Sequence, residues 1–294
     1  MQLHQLEYFV AVAETLSFTR GAQRVHTAQS AVSAAIGHLE GELGVRLFDR
    51  GPRGITLTDH GTALLPKARE ALAAVAAVAD AAAQRRGEIS GVVTVGTMEH
   101  TGPFDIVGTL ERLQRDHPGV IVRLRQTSAG STSSLAELRS GSLDVALIAG
   151  MPRSTADVEI ESAHEDPLDF VCAADHPLAG HQSVEARDLT DQNFIEYPLG
   201  WGNRAVADAW FEASFTPRVI RTEVTHFDLA VDLVARSLGV TLLPRQAVPD
   251  DPRIRRIPIA GGPLWTVGIA RSTHRPVSIA TRTLIEYLRT QAAE

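Results

Sequence analysis

A single cysteine, Cys172, is all that 294 residues contain, and that scarcity excludes an intramolecular disulfide and any cysteine-based zinc site. With no basic neighbour in sequence to favour its thiolate, it reads as a buried strand residue, a redox sensor being the sharper alternative. Equally lacking are an apolar run long enough to span a bilayer and an N-terminal stretch that joins basic residues, an apolar core and a cleavage site. A cytoplasmic chain without membrane contact is expected. Nor is there a Gly-Xaa-Ser-Xaa-Gly elbow, a phosphate loop, a His-Glu-Xaa-Xaa-His helix or a dinucleotide glycine fingerprint, so neither catalysis nor a cofactor is expected. The His164-Glu165-Asp166 cluster beside Asp169 could suggest a metal, but charged residues at a junction explain it more simply, and no metal is assigned.

Net positive charge is missing too, with a formal balance of −7. Up to residue 90, nine basic residues meet nine acidic ones, which leaves 19 basic and 26 acidic beyond it. A general nucleic-acid coat is excluded, whereas a locally basic contact surface on a neutral N-terminal module is not. In that module every basic residue but Lys67 is arginine, so phosphate contacts would be planar and often bidentate.

What is present begins with residues 18 to 48, which read as two helices joined by a tight turn. Val32, Ile36, Leu39 and Leu43 recur at helical spacing as one apolar stripe, while Gln29, Ser30, Ser33, Ala34 and Gly37 fall on the other side. Such a short, polar face at a helix N-terminus can enter a major groove with its free N–H groups aimed at phosphates. Before it, Leu3, Leu6, Phe9, Val10 and Ala13 predict a first amphipathic helix, with Ser17 and Thr27 as N-caps of the next two. After it, two short runs around Gly51-Pro52-Arg53-Gly54 predict a hairpin wing whose Arg50 and Arg53 reach phosphates or a minor groove. From Asp59 to about Gly87 one alanine-rich helix carries Leu65, Ala68, Leu72, Val75, Ala79 and Ala82 at heptad spacing, which predicts pairing with a second copy. Pro66 either bends this helix or marks where its regular part begins.

These residues give a resemblance to the LysR-type transcriptional regulators. It is carried by Leu6-Glu-Tyr-Phe9, Ser17-Phe-Thr-Arg20, Gln29-Ser-Ala-Val-Ser33, Ile36, Leu39-Glu40, Glu42-Leu-Gly-Val-Arg-Leu-Phe48, Arg50, Leu57-Thr58 and Gly61. The resemblance implies contacts to operator bases or phosphates from Thr19, Arg20, Gln29, Ser30, Ser33, Arg50 and Arg53. Where the family often carries arginine, glutamine or lysine on the recognition face, Ala34, Ala35 and Gly37 stand here. Base reading is then left to Gln29, Ser30, thymine-methyl contacts and DNA shape.

Beyond Gly91 strands alternate with helices: Val92–Thr97, a helix from Pro103 to Asp116, Val120–Arg125, a helix through Leu138, then a strand within Gly141–Ile148. That order predicts a parallel sheet covered by helices. After a junction near Asp157 to Asp166 the pattern restarts with strands at Leu168–Ala173, Asn193–Tyr197, Ile220–Val224 and Val240–Leu243, and ends with Trp265–Ala270 and a helix from Ile279 to Ala292. The family resemblance extends over this half through Gly141-Ser-Leu-Asp-Val-Ala146, His176-Pro-Leu-Ala179 and Leu233–Pro244. It implies a two-lobed, periplasmic-binding-protein-like effector domain. Ser237 stands where the family usually has glycine after a helix, which argues against a left-handed cap there.

The expected architecture is α/β: a winged helix-turn-helix at 1–58, a linker and dimerisation helix at 59–88 through Leu65, Leu72 and Val75, and an effector domain at 89–294. Its lobe I takes in about 91–163 and 266–294, and lobe II about 164–265. A ligand in such a fold settles beyond strand ends against helix N-termini, which brings in Thr97, Met98, Glu99, His100, Thr101, Ser128, Ser131, His226 and Phe227. Their hydroxyls and free N–H groups suit an anionic metabolite. By resemblance the 199–204 loop, which holds Asn203, closes over the same cleft; in it Arg204 is a candidate bidentate anion clamp and Trp201 a candidate aromatic wall, the plainer alternative being a surface arginine and a lobe-packing tryptophan. Glu99 and His100 are unusual beside an anion; they could instead bind a cationic or hydroxylated ligand, or pair with each other. The function expected is a sequence-specific transcriptional regulator that binds double-stranded DNA at an inverted-repeat operator as a homodimer or homotetramer and responds to a small-molecule effector, with RNA polymerase as a further candidate partner. The competing reading is a solute-binding or enzymatic α/β protein with an incidental N-terminal helical domain.

Overall fold

In a computed structural model, which describes residues 1–51, 54–84, 89–126, 130–150 and 154–292, the chain forms two compact units. One is built on Met1–Ser90 and the other on most of the remainder. In the first, α1 (Leu3–Thr15), α2 (Phe18–Arg24) and α3 (Gln29–Leu43) are followed by the hairpin β1 (Phe48–Gly51) and β2 (Gly54–Leu57), then α4 (Asp59–Gln84). Most of the expected apolar positions make the core: Leu6, Phe9, Val32, Ile36 and Leu39 are buried together with Phe18, Leu47, Phe48 and Ala68, whereas Leu3 and Leu43 at the helix ends stay exposed. Phe48 is met edge-on by Phe9 and Phe18. Ser17 caps α2 by accepting the Arg20 N–H. Thr27 does not cap α3; Ala28 occupies that position without a side-chain bond, and His26 just before it takes a left-handed φ of 52° to make the turn.

Pro66 lies inside α4, a turn and more beyond Asp59 where the helix starts. Leu64, Leu65 and Leu72 of α4 pack on the core of their own unit, so the apolar stripe is partly used there. Farther along, Val75 and Val78 are exposed, at 44% and 73%.

The second unit holds β3 (Ser90–Thr97), α5 (Ile106–Asp116), β4 (Gly119–Gln126), α6 (Gly130–Ser140), β5 (Val145–Ala149), β6 (Val158–Ala173), β7 (Asn193–Glu196), α7 (Gly202–Ala213), β8 (Val219–Glu223), α8 (Phe227–Val234), β9 (Thr241–Pro244), β10 (Ile254–Ile257), β11 (Leu264–Ser272) and α9 (Ile279–Ala292). The main sheet runs β10-β6-β11-β5-β3-β4, with β9 also on β6, while β7 and β8 pair separately in parallel. It is not wholly parallel: β3 and β5 are, but β11 inserts antiparallel between β5 and β6. The expected junction at 157–166 is itself strand. Sixteen-residue β6 pairs with β11 over its first part and with β9 and β10 over its last, so it runs through both lobes. Its buried charges explain why this strand is hard to read. Asp169 accepts from Arg245 Nε at 2.8 Å and Asp166 from the Gln246 N–H at 3.0 Å, so two carboxylates sit inside a sheet with their partners in place.

Ser237 does adopt the left-handed conformation, at φ 59°. The Leu238 N–H reaches Leu233 O and the Ser237 N–H reaches Val234 O, a Schellman cap with serine in place of glycine. Among the described residues no helix is long and apolar enough to cross a membrane.

Candidate functional site

On the first unit, Thr19, Arg20, Gln29 and Ser30 are exposed on α2 and on the opening turn of α3, and Ser33 is half-buried. Ala34 and Gly37 share the open side of α3, whereas Ala35 is buried against the core and belongs to the other face. One turn beyond Ala34 stands exposed His38, a longer side chain that its spacing four residues on could have revealed. Arg20 has one guanidinium edge occupied, with Nη2 donating to Thr15 O at 2.6 Å. The Glu40 carboxylate accepts from the Leu47 N–H at 2.7 Å, which ties the end of α3 to the base of the hairpin. Arg53 and the Arg50 side chain lie outside the described residues.

The second unit has a partly open cavity of about 40 Å³ between its lobes. On the order of 10–15 Å³ is needed per water, so the space suits a group of a few heavy atoms. Of the expected residues, Thr97, Met98, Glu99, His100, Ser131, Trp201, Asn203 and Phe227 line it, joined by Gln126, Gly130, Ser134, Leu147, Ala149, Gly202 and Trp265. Thr101 instead donates to Phe104 O at 2.8 Å, and Ser128 lies outside the described residues. Trp265 escapes sequence reasoning because it reads as the first residue of a strand that only the antiparallel pairing brings to the cleft.

The lobes meet backbone to backbone. A Cβ on Gly202 would sit 2.1 Å from Ala149 O, and one on Gly150 2.3 Å from Gly202 O; only glycines permit that approach. Beside them Thr132 of α6 donates through Oγ1 to Gly200 O at 3.1 Å. On the other side Glu99, from the loop after β3, accepts the Phe227 N–H at 2.9 Å through Oε2, while Oε1 stands 3.7 Å from His226 Nδ1. The N-terminus of α8, a ready anion site, is therefore occupied by the chain's own carboxylate. Trp265 stacks on His100 at 5.5 Å, His100 adjoins Phe227, Phe227 meets Tyr197 edge-on and Tyr197 stacks on Trp201. Five rings thus form a belt from one lobe to the other. Burial lowers the His100 pKa against the opposing pull of Asp166, so its ring is neutral near pH 7.

Arg204 is not the clamp expected of it. It does not line the cavity. Its Nε donates to both Asp208 oxygens at 2.9 Å and Nη1 to Tyr197 O at 2.9 Å. Asp208 also binds Arg218, which pairs with Glu196 at 3.0 Å and lies 4.8 Å over the Phe211 ring. In this buried network the Glu196 carboxyl is pushed up to about 7, burial outweighing the Arg218 guanidinium. Among the described residues, then, the cavity is lined by one carboxylate and by neither lysine nor arginine, and an anion there would meet no cation.

Comparison with known proteins agrees with this division. Residues 3–62 match the family model described as bacterial regulatory helix-turn-helix protein, lysR family, and residues 86–293 match the LysR substrate binding domain. The hydrogen peroxide-inducible genes activator of Dickeya chrysanthemi is 31% identical over 255 residues, covering 87% of this chain and 82% of its own. The HTH-type transcriptional regulator ShiR of Corynebacterium glutamicum is 32% identical over 245 residues, 82% of each chain. Among solved structures, full-length OxyR from Pseudomonas aeruginosa, in a form with one cysteine replaced by aspartate, superposes with a TM-score of 0.80 at 27% identity, covering 99% of this chain and 94% of that one.

Proposed function

Because the chain belongs to the LysR family of bacterial transcriptional regulators, DNA-binding proteins with an effector domain and not enzymes, we propose how its parts divide that work. Residues 1–58 bind the operator, 59–88 pair two copies and 89–294 sense the effector, in the cytoplasm where the DNA is. Thr19, Arg20, Gln29, Ser30, Ser33, Arg50 and Arg53 contact DNA, and His38 joins them on the open face of α3. Leu65 and Leu72 contribute to pairing at the edge of their own core, and Val75 contributes from an exposed position farther along the helix. A two-fold dimer then reads an inverted repeat, dimers can assemble further into tetramers, and RNA polymerase is the remaining partner. The effector occupies the cleft between the lobes, and it acts by binding one lobe arrangement more tightly than another.

The observation that carries this reading is the exposed first turn of α3, with Gln29 and Ser30 outward and Val32 and Ile36 wholly inward. Band-shift titration of the promoter beside the chain's own reading frame, with Arg50→Ala plus Arg53→Ala as control, tests it. Equal affinity for random DNA would refute sequence-specific binding.

Peroxide sensing, which the name of the Dickeya relative describes, does not carry over. The one thiol of this chain, Cys172, is fully buried on β6 and pushed up to about 11 by that burial, so the reactive thiolate is scarce near pH 7.

A further inference from the structure

We infer, resting on the cleft as the effector site, that the effector is a small uncharged molecule presenting a carbonyl-type oxygen, an amide for instance, and not a carboxylate. Four side-chain nitrogens of the lining residues have no hydrogen-bond partner, Trp265 Nε1, Asn203 Nδ2, Trp201 Nε1 and His100 Nε2, and the first three can only donate. Trp265 and Asn203 are 2% and 5% exposed, so water does not satisfy them from the surface. Indole and amide nitrogens only donate, and buried donors without acceptors are rare enough in proteins to ask for a partner. That partner is an oxygen acceptor.

Its charge follows from what surrounds it. The place where an anion would settle, the N-terminus of α8, holds Glu99 Oε2 on the Phe227 N–H at 2.9 Å. A ligand carboxylate would face Glu99 with no lysine or arginine among the described lining residues to offset the repulsion. A cation would satisfy Glu99 but leave the three donors facing positive charge. An uncharged amide serves both: its oxygen accepts from the indole and asparagine nitrogens, and its N–H groups donate to the second Glu99 oxygen or to Gln126.

Acetamide, acetate and acetamidinium share one shape and differ in charge, and two of the chain's three tryptophans, Trp201 and Trp265, line the cavity. Titrating each compound into the full-length protein while following tryptophan emission is the test. Acetamide should bind about tenfold more tightly than either ion. Trp265→Phe, which keeps an aromatic ring and loses the N–H, and Asn203→Leu should each weaken acetamide about tenfold with the melting transition retained. Glu99→Gln should let acetate approach acetamide in affinity. Tighter acetate or acetamidinium binding would overturn the ligand class while leaving the cleft reading intact, as would acetamide affinity unchanged in both donor variants. Silence from all three compounds would overturn the cleft reading together with the class.

Discussion

Gly202→Ala tests whether the backbone contact between lobes sets their closed arrangement. The added Cβ would lie 2.1 Å from Ala149 O and 2.4 Å from Ala149 C, backbone atoms of β5 that cannot rotate away. Reaching ordinary contact needs a retreat of about 1 Å by the start of α7. The Thr132 N–H to Gly200 O bond is already 3.4 Å long and the Oγ1 bond 3.1 Å, so such a retreat loses both. Overpacking costs about 1–3 kcal/mol and each lost hydrogen bond about 0.5–1.5 kcal/mol. The closed state should therefore be weakened by roughly 2–6 kcal/mol, on the order of thirty- to twenty-thousand-fold in its equilibrium. Small-angle scattering should show an enlarged second unit, Trp201 emission should shift to the red, and cleft ligands should bind correspondingly less well. Gly180→Ala, with no atom within 4 Å of the new Cβ, is the control and should change none of these. A Gly202→Ala protein with wild-type scattering, emission and melting would refute the argument.

The remaining expectations concern stability and reactivity. Glu196 has its pKa raised from 4.5 to about 7, so the folded state holds this proton more tightly than the unfolded one; its contribution is full below 4.5 and is lost as pH rises through 7. That amounts to about 3 kcal/mol across the window; urea melts of wild type and Glu196→Gln should converge at the acid end, and parallel pH profiles would contradict it. Ser237→Gly relieves a left-handed serine at φ 59° and should stabilise by about 1 kcal/mol, since it gives up only a 3.4 Å bond to Asp175; a lower melting point would count against the strain. Cys172→Ala and wild type should bind operator alike before and after peroxide treatment, the thiol being buried and pushed up to about 11; peroxide-sensitive binding abolished by Cys172→Ala would restore a redox role.

How much of this can be read in the chain depends on where each residue finds its partner. The stripe from Val32 to Leu39, the Ser17 cap and the closing helix at Ile279–Ala292 rest on local periodicity and near-neighbour bonds, and they stand as expected. The start of β6 reads as a junction because His164, Glu165 and Asp166 look like surface residues; the groups that make the strand's charges tolerable, Gln246 and Arg245, lie about 80 residues on. A serine at 237 argues by residue type against a left-handed conformation that the tertiary context nonetheless imposes.

Polar residues at the cleft divide on the same principle, and the division changes the chemistry expected there. Arg204 reads as available for an anion, yet Asp208 four residues later is its natural helical partner, and the structure joins them at 2.9 Å. Glu99 reads as out of place beside an anion; it is itself the anion, seated on α8. Once those charges have satisfied one another inside the protein, what is left on the residues that line the cavity is a set of uncharged, unpartnered donors on tryptophan and asparagine. A site whose charges are already paired selects its ligand by hydrogen-bond geometry and fit, and an ion entering it gives up hydration that nothing among the described lining residues restores.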